Sequence, residues 1–330
     1  MSGGQAASNV TLRTDLMGMT EELSFDALGL VADQIAVPAY EQEKAGAFPV
    51  LPREAVGKVP NTARKSDGSF ARGEWEWSQD SYVSREYGFE EPVDLTQALE
   101  NSKWFDEEVQ ASKLAVQGMK LGRESRVASA LMNTTTFTGA TNLKTLSNEW
   151  DKAAATPWAD IDAVSVILRK KCGMGKKFQS LLLASDNIDT IIRCTEVIDH
   201  AKYVSILPTL PMEQKIQWLA SYLGVKEIIS VQAIYDGANL GVDFDYSHFW
   251  SNEFGMLCIR DNSTNSLKAR TVAIQPVFSR YAKDYIIESY DEPANKRRVI
   301  RAAEHRSVKI RTDYGVLIEN MKTTVSAGGV

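Results

Sequence analysis

Gly173-Met174-Gly175-Lys176-Lys177 is the segment of this chain nearest in type to a phosphate loop, with glycines for close backbone approach and lysines for an anion. It lacks the GxxxxGK[ST] spacing. It also follows a helical pattern and precedes an apolar strand pattern, whereas a phosphate loop leaves a strand and opens a helix whose N–H groups bind the phosphate. His200, His248 and His305 fall in no HExxH or other metal-ligand spacing, and only Cys194 and His200 lie close in sequence. Asp243 and Asp245, in Gly-Val-Asp-Phe-Asp-Tyr, could offer oxygen ligands to a divalent cation, but an exposed loop is the simpler reading. No GxSxG elbow is present, and nothing singles out a Ser/His/Asp triad. We therefore assign no catalytic residue, no cofactor and no metal site, and expect a protein that is not an enzyme.

Two other features point to contacts between surfaces. In Glu74-Trp75-Glu76-Trp77 a period of two puts both tryptophans on one face of an extended segment and both glutamates on the other. Aromatics of that size need cover, from the same chain or from a neighbour. Charge is also segregated. Residues 74–108 hold eleven acidic side chains, Glu86 among them, against Arg85 and Lys103, a net of -9. Residues 292–311 hold seven basic side chains (Lys296, Arg297, Arg298, Arg301, Arg306, Lys309, Arg311) against Glu292 and Glu304, a net of +5. Charge runs are usually solvated faces, yet an acidic hairpin base and a basic strand region on one chain also suit a head-to-tail contact between copies. On that reading the inter-subunit contact uses Trp75, Trp77, Glu74, Glu76 and Glu86 on one side and Lys296, Arg297, Arg298, Arg301 and Arg306 on the other.

The elements that would carry these residues follow from periodicity. An irregular arm with a short helix near Thr20–Leu30 leads to the extended Ala36–Tyr40. Phe48–Leu51 and Ser81–Tyr87 read as strands flanking a long polar excursion. Asp94 is placed to cap a short helix, and Lys103–Met132 is a long amphipathic run with Phe105, Val109, Val116, Met119, Val127 and Leu131 near a 3.6 period, about 45 Å of helix. Asp160–Lys171 is a helix ended near Gly173. Ser180–Ala184, a helix capped by Ser185, a helix between Pro211 and Gly224, and the strand Glu227–Val231 form an α/β unit. Gly237–Trp250 reads as a loop and Phe254–Arg260 as a strand. Thr271–Met321 is rich in strands (Tyr285–Ser289, Ser307–Ile310, Gly315–Ile318), with a helical signal at Lys296–Glu304.

Composition bounds the rest. At 330 residues and 44% hydrophobic, the chain exceeds the size at which one core usually stops growing, so two lobes, or one domain with long excursions, are expected. A net charge of -6 argues against a sequence-independent coat on nucleic acid. Three dispersed cysteines, Cys172, Cys194 and Cys258, argue for a reducing compartment. No stretch is long and apolar enough to cross a bilayer, and no contact with a membrane is expected.

In the order of these segments the chain resembles the major capsid proteins of tailed bacteriophages with the Hong-Kong-97-type fold. Val31-Ala32-Asp33-Gln34-Ile35-Ala36-Val37-Pro38 is similar to that family's N-arm, Phe48-Pro49-Val50-Leu51 to the start of its E-loop, and Tyr82-Val83-Ser84-Arg85-Glu86-Tyr87-Gly88 to the return. Arg123-Glu124-Ser125-Arg126-Val127-Ala128 is similar to the end of the spine helix, Trp158–Ala184 to the step into the A-domain, and Asp313-Tyr314-Gly315-Val316-Leu317-Ile318 to returning P-domain strands. The resemblance implies an α+β fold: an N-terminal arm (1–47), an E-loop (48–93), a peripheral P-domain with the spine helix (94–172), an α/β axial A-domain (173–265) and returning P-domain strands (266–330). It implies hexamers and pentamers tiling an icosahedral shell around double-stranded DNA, in the virion and, during assembly, in the host cytoplasm. Implied partners are other copies of the chain, a separate scaffolding protein, a portal and decoration proteins. A covalent cross-link, known in part of the family, would use an E-loop lysine, for which Lys58 and Lys65 qualify by location alone. An encapsulin-like compartment of the same fold is the alternative. A cytosolic α/β enzyme with a site at Gly237–Trp250 is the second.

Overall fold

Arg297–Arg306, whose Arg, Ala and Glu content predicts a helix, is a ten-residue strand bonded on both sides. The computed structural model describes residues 11–21, 29–50, 59, 62–64, 68, 76, 78–204, 211–239, 241–261, 266–279 and 284–323. Helix propensity is a weak local preference, and a central strand with partners along both edges overrides it.

The arm contains β1 (Thr11–Leu12), α1 (Thr14–Glu21), the single turn α2 (Ala32–Ile35) and β2 (Ala36–Glu41). Of the helix expected at Thr20–Leu30, Thr20 and Glu21 are helical and Gly29 and Leu30 are not, while 22–28 lie outside the described residues. The hairpin pairs β3 (Ala45–Val50) with β4 (Ser78–Val83), from Ala45 opposite Val83 to Val50 opposite Ser78. At Ser84 the chain leaves the hairpin. The next strand, β5 (Arg85–Asp94), joins Arg297–Arg306 over its whole length.

Asp94 caps α3 (Leu95–Asn101) as expected, accepting from the N–H groups of Thr96 and Gln97. The spine helix is α4 (Glu107–Leu131), 25 residues, capped by Asp106 with Glu107 and Glu108 in its first turn. Its buried stripe includes Val116, Met119, Val127 and Leu131, each contributing about 1.5–3 kcal/mol of apolar burial. Phe105, expected in that stripe, precedes the helix and is 46% exposed.

The second lobe is built from β6 (Leu143–Thr145), α5 (Pro157–Cys172), β7 (Gln179–Ala184), α6 (Ser185–Arg193), α7 (Thr195–Val204), α8 (Met212–Leu223) and β8 (Glu227–Val231). It continues through the hairpin β9 (Ile234–Asp236) and β10 (Tyr246–His248) to β11 (Phe254–Ile259). Gly173 and Gly224 end α5 and α8 in the left-handed region, at φ 72° and 71°. Ser185 begins α6 without capping it; Ala184 holds the cap position. The remaining strands are β12 (Ala273–Phe278), β13 (Ile286–Glu292), β14 (Arg297–Arg306), β15 (Lys309–Ile310) and β16 (Gly315–Glu319).

Two sheets result. One runs β1-β13-β14-β12-β15, with β5 beside β14 and β2 parallel to β12; the other runs β6-β16-β11-β7-β8. The core of the second lobe combines Ile161, Val164 and Leu168 of α5 with Leu181, Leu183, Leu257, Val316 and Ile318. Helix α5 and strand β16 thus pack with the 173–265 unit, across the boundaries read from sequence. Lys171, only 8% exposed, donates to the carbonyls of Thr312 (2.5 Å) and Gly315 (2.7 Å), tying α5 to the turn before β16. Lys171→Met should lose about 2 kcal/mol of stability, because it removes charge-assisted bonds to buried carbonyls. A urea midpoint unchanged from wild type would contradict this.

Candidate assembly surface

Strands β5, β14 and β13 place alternate side chains on opposite faces of one sheet. Val93, Ile300, Ala302 and Ile287 point to the face covered by α1 and the spine helix. Phe89 lies against Gly118, where an added Cβ would sit 3.0 Å from the ring, so glycine lets helix and strand approach. The opposite face carries Glu86, Gly88, Glu90 and Pro92 of β5, Arg297, Val299, Arg301, Ala303 and His305 of β14, and Glu288, Tyr290 and Glu292 of β13. It is laced by ion pairs: Arg301 to Glu288 (2.7 Å) and Glu90 (3.5 Å), Arg297 to Glu292 (2.6 Å), with the Tyr290 hydroxyl donating to Glu90 (3.1 Å).

The acidic and basic blocks expected to meet between subunits therefore meet in part within one chain, through Glu108, Glu90 and Asp80. Arg298 points inward to Glu108 (2.7 Å) and Asp291 (2.7 Å), and Lys309 binds Asp80 (2.7 Å). Arg306 is 2% exposed and sits between Asp33 (3.0 Å), Asp284 (3.3 Å) and Glu304 (3.3 Å), so it cannot reach a neighbour. Glu86, opposite His305, and Arg297 and Arg301 lie on the outward face, while Lys296 is exposed in the β13–β14 turn at φ 51°. Glu76 is exposed; Glu74, Trp75 and Trp77 lie outside the described residues. The hairpin is rooted in its own chain: Phe48 and Tyr82 pack with Ala39, Leu267 and Ile274, and the Arg311 guanidinium lies 5.5 Å from the Phe48 ring centre.

Beneath this sheet is a buried polar network that sequence reading missed. Arg123 interrupts the apolar stripe of the spine helix, one turn from Met119 and from Val127. It binds Asp33 of the arm (2.5 Å) and Glu304 of β14, which also holds Arg126 (2.5 Å). Gln275 donates to the carbonyl of Ala36 (2.9 Å) and accepts from Arg306 (3.1 Å). Burial pushes the Asp33 carboxyl up, but Arg123 and Arg306 outweigh it and hold it below its usual range. One residue along, Glu124 is fully buried and accepts from the N–H groups of Val31 (3.1 Å) and Ala32 (2.8 Å) and from the Trp250 indole (2.7 Å). It joins arm, spine helix and second lobe. Burial pushes its carboxyl above the usual range against the pull of those donors. The one available signal was a charged pair, Arg123-Glu124, set among apolar helix positions.

The segments weighed for chemistry are structural. Gly173 is a helix C-cap, and Lys176 pairs with Asp162. His200 lies tilted against Tyr222 (4.7 Å between ring centres) and His305 meets Phe278 edge-on (5.5 Å). Cys258 is buried and its thiol is pushed up to about 12 by that burial. Gly237–Trp250, read as a loop, contains β10, which pairs with β9 just before it, and Gly237 N–H donates to Asp245 O (2.8 Å). Among the described residues no group of three His, Cys, Asp or Glu could hold a metal ion, and no helix is long and apolar enough to cross a membrane.

No family model and no curated protein matches the sequence. Solved structures match in three dimensions. A phage-related protein from Bordetella bronchiseptica RB50 has a TM-score of 0.69 at 15% identity, covering 94% of this chain and 98% of that one. The capsid structure of cyanophage P-SCSP1u has a TM-score of 0.55 at 9% identity, covering 96% and 90%. The holo-SrpI encapsulin complex from Synechococcus elongatus PCC 7942 has 0.52 at 12%, covering 87% and 86%. The arm, projecting hairpin, spine helix, strand-rich P-domain and α/β A-domain define the Hong-Kong-97-type capsid fold, and this chain has it.

Proposed function

We propose that this chain is the major capsid protein of a tailed bacteriophage, assembling into hexamers and pentamers of an icosahedral shell around double-stranded DNA. The observation that carries the reading is a likeness of fold spanning nearly the whole chain, 94% and 96% of it in the two comparisons with phage proteins. Physical features support it. The outward face of β5-β14-β13 offers charged residues to a partner, and the hairpin is rooted beside that sheet. The hairpin of one subunit lies over this face of the next, using the exposed charges of Glu86 and Lys296. Exposed pairs contribute about 0–1 kcal/mol each, so they set register, and many weak contacts together hold the shell. A scaffolding protein, portal and decoration proteins are the further partners, in the host cytoplasm during assembly and then in the virion.

The likeness to an encapsulin supports a second reading, a compartment of the same fold enclosing protein cargo. Negative-stain microscopy of the expressed chain, with nucleic acid and protein content measured on purified particles, separates the two. DNA competence favours the phage reading; a co-purifying enzyme favours the compartment. Dispersed monomers under every condition, stabilised against heat by a small ligand, would overturn both. Trp75→Ala with Trp77→Ala is expected to reduce particle yield at least tenfold while the monomer keeps its far-ultraviolet circular dichroism. A double variant that unfolds would place those rings in the subunit core instead.

A further inference from the structure

The hairpin leaves the P-domain sheet at Ser84, and beside that junction lies an open groove of about 640 Å³. Four segments wall it: the end of β4, the start of β5, the spine helix from Ser125 to Ala130, and the turn from β14 into β15. Ligand pockets run from about 300 to 1,000 Å³, so this is room for a small molecule of several polar groups. Its charge has one sign. Arg85, Arg126 and Lys309 line it, and among the described residues no carboxylate does, on a chain whose net charge is -6. The hydroxyls of Ser81, Ser125 and Ser307 line it too, and each can donate a hydrogen bond.

The three cations are unequally committed. Lys309 binds Asp80 (2.7 Å). Arg126 lies 3.8 Å over the centre of the Tyr87 ring and reaches Glu304, a carboxylate it shares with Arg123 and Arg306. Burial lowers the Arg126 guanidinium below its ordinary range even with that partner, so a further anion would stabilise its charged form. Arg85 is exposed, stands opposite Arg306 in the register of β5 and β14, and makes no ion pair among the described residues. Strand alternation turns Arg85 and Tyr87 away from Glu86 and Glu90, so the groove opens on the spine-helix side, clear of the outward face. A peptide brings N–H donors with its carboxylates and needs acceptors to meet them. A phosphate chain is all acceptor, and every charged side chain here is a donor, two of them guanidinium forks that fit phosphate oxygens in pairs. We propose that the groove binds a run of linked phosphate groups, free or as the tail of a nucleotide, bridging Arg85 and Lys309 at the hairpin root to Arg126 of the spine helix. The site belongs to the single subunit, so it stands apart from the shell reading.

The test titrates the full-length chain by calorimetry with sodium tripolyphosphate, ATP and sodium sulfate at one fixed ionic strength. Tripolyphosphate should bind, with sulfate about tenfold weaker or more, and hydrogen exchange should slow in 81–87 and 125–130 together. Arg85→Glu and Ser125→Glu each put a carboxylate at an exposed position of the groove, so both variants should keep the wild-type circular dichroism and lose about tenfold or more in affinity. ATP as tight as tripolyphosphate assigns recognition to the phosphates alone, and tighter ATP makes a nucleotide the ligand. No binding by the wild type, equal binding by the variants, or sulfate as tight as tripolyphosphate would overturn the proposal. A hexaglutamate peptide that binds more tightly than tripolyphosphate would also overturn it, by making the groove a peptide site. Should both variants misfold, the exchange pattern decides: slowing confined to other segments would overturn the site.

Discussion

Glu304→Gln is expected to destabilise the folded subunit by about 3–5 kcal/mol, the range for removing one partner from a buried ionic network. The substitution keeps the shape of the side chain and deletes a fully buried charge that three guanidinium groups, Arg123, Arg126 and Arg306, surround. What remains is three cations with Asp33 and Asp284, both partly exposed, as counter-ions. The denaturant midpoint should fall while the slope of the transition is unchanged. A loss under about 1 kcal/mol would mean that water already screens the network. The pH dependence of the wild type should carry a matching sign. Asp33 is held below its ordinary value of 3.8 in the folded state, so its contribution is present above that pH and is lost as pH falls through the lower folded value.

Glu124 should have the opposite pH dependence. Its folded carboxyl is raised above the ordinary 4.5 by burial, so the stability linked to it is fully present below about 4.5 and is lost as pH rises through the folded value. Glu124→Leu orphans the N–H groups of Val31 and Ala32 and the Trp250 indole, at about 1–3 kcal/mol for each donor left unpaired. Its total cost should be about 3 kcal/mol or more. Glu124→Gln leaves an acceptor in place and isolates the titration: its deficit relative to wild type should be greatest in acid and should shrink as pH rises towards 7. Denaturation curves at several pH values read this directly. Parallel profiles, or a deficit that grows with pH, would show that Glu124 does not titrate as its burial requires.

Glu124 sits in a helix whose existence is plain from sequence, whereas Glu304 sits in strand β14. The 3.6 period through Val116, Met119, Val127 and Leu131 is a local signal, as are the caps at Asp94, Gly173 and Gly224, and each appears in the structure. The order of arm, hairpin, spine helix, α/β unit and returning strands was equally legible, because every one of those segments carries its own pattern. Strand β14 was not. Its residues prefer a helix in isolation, and only pairing with β5 and β13 makes the extended form the better one.

The same limit governs the segregated charge of this protein. Composition determined that residues 74–108 are acidic and 292–311 basic, and that each attracts the other. It could not determine whether they meet in one chain or across two, since charge has sign but no address. Tertiary structure decided it: pairing β5 to β14 brings Glu90 to Arg301 across some two hundred residues of chain, and the fold buries Arg123 with Glu304 beside the partly exposed Asp33, from three distant segments. Burial in a medium of low dielectric is what makes such pairings specific, and burial is a property of the assembled chain, not of any stretch of it.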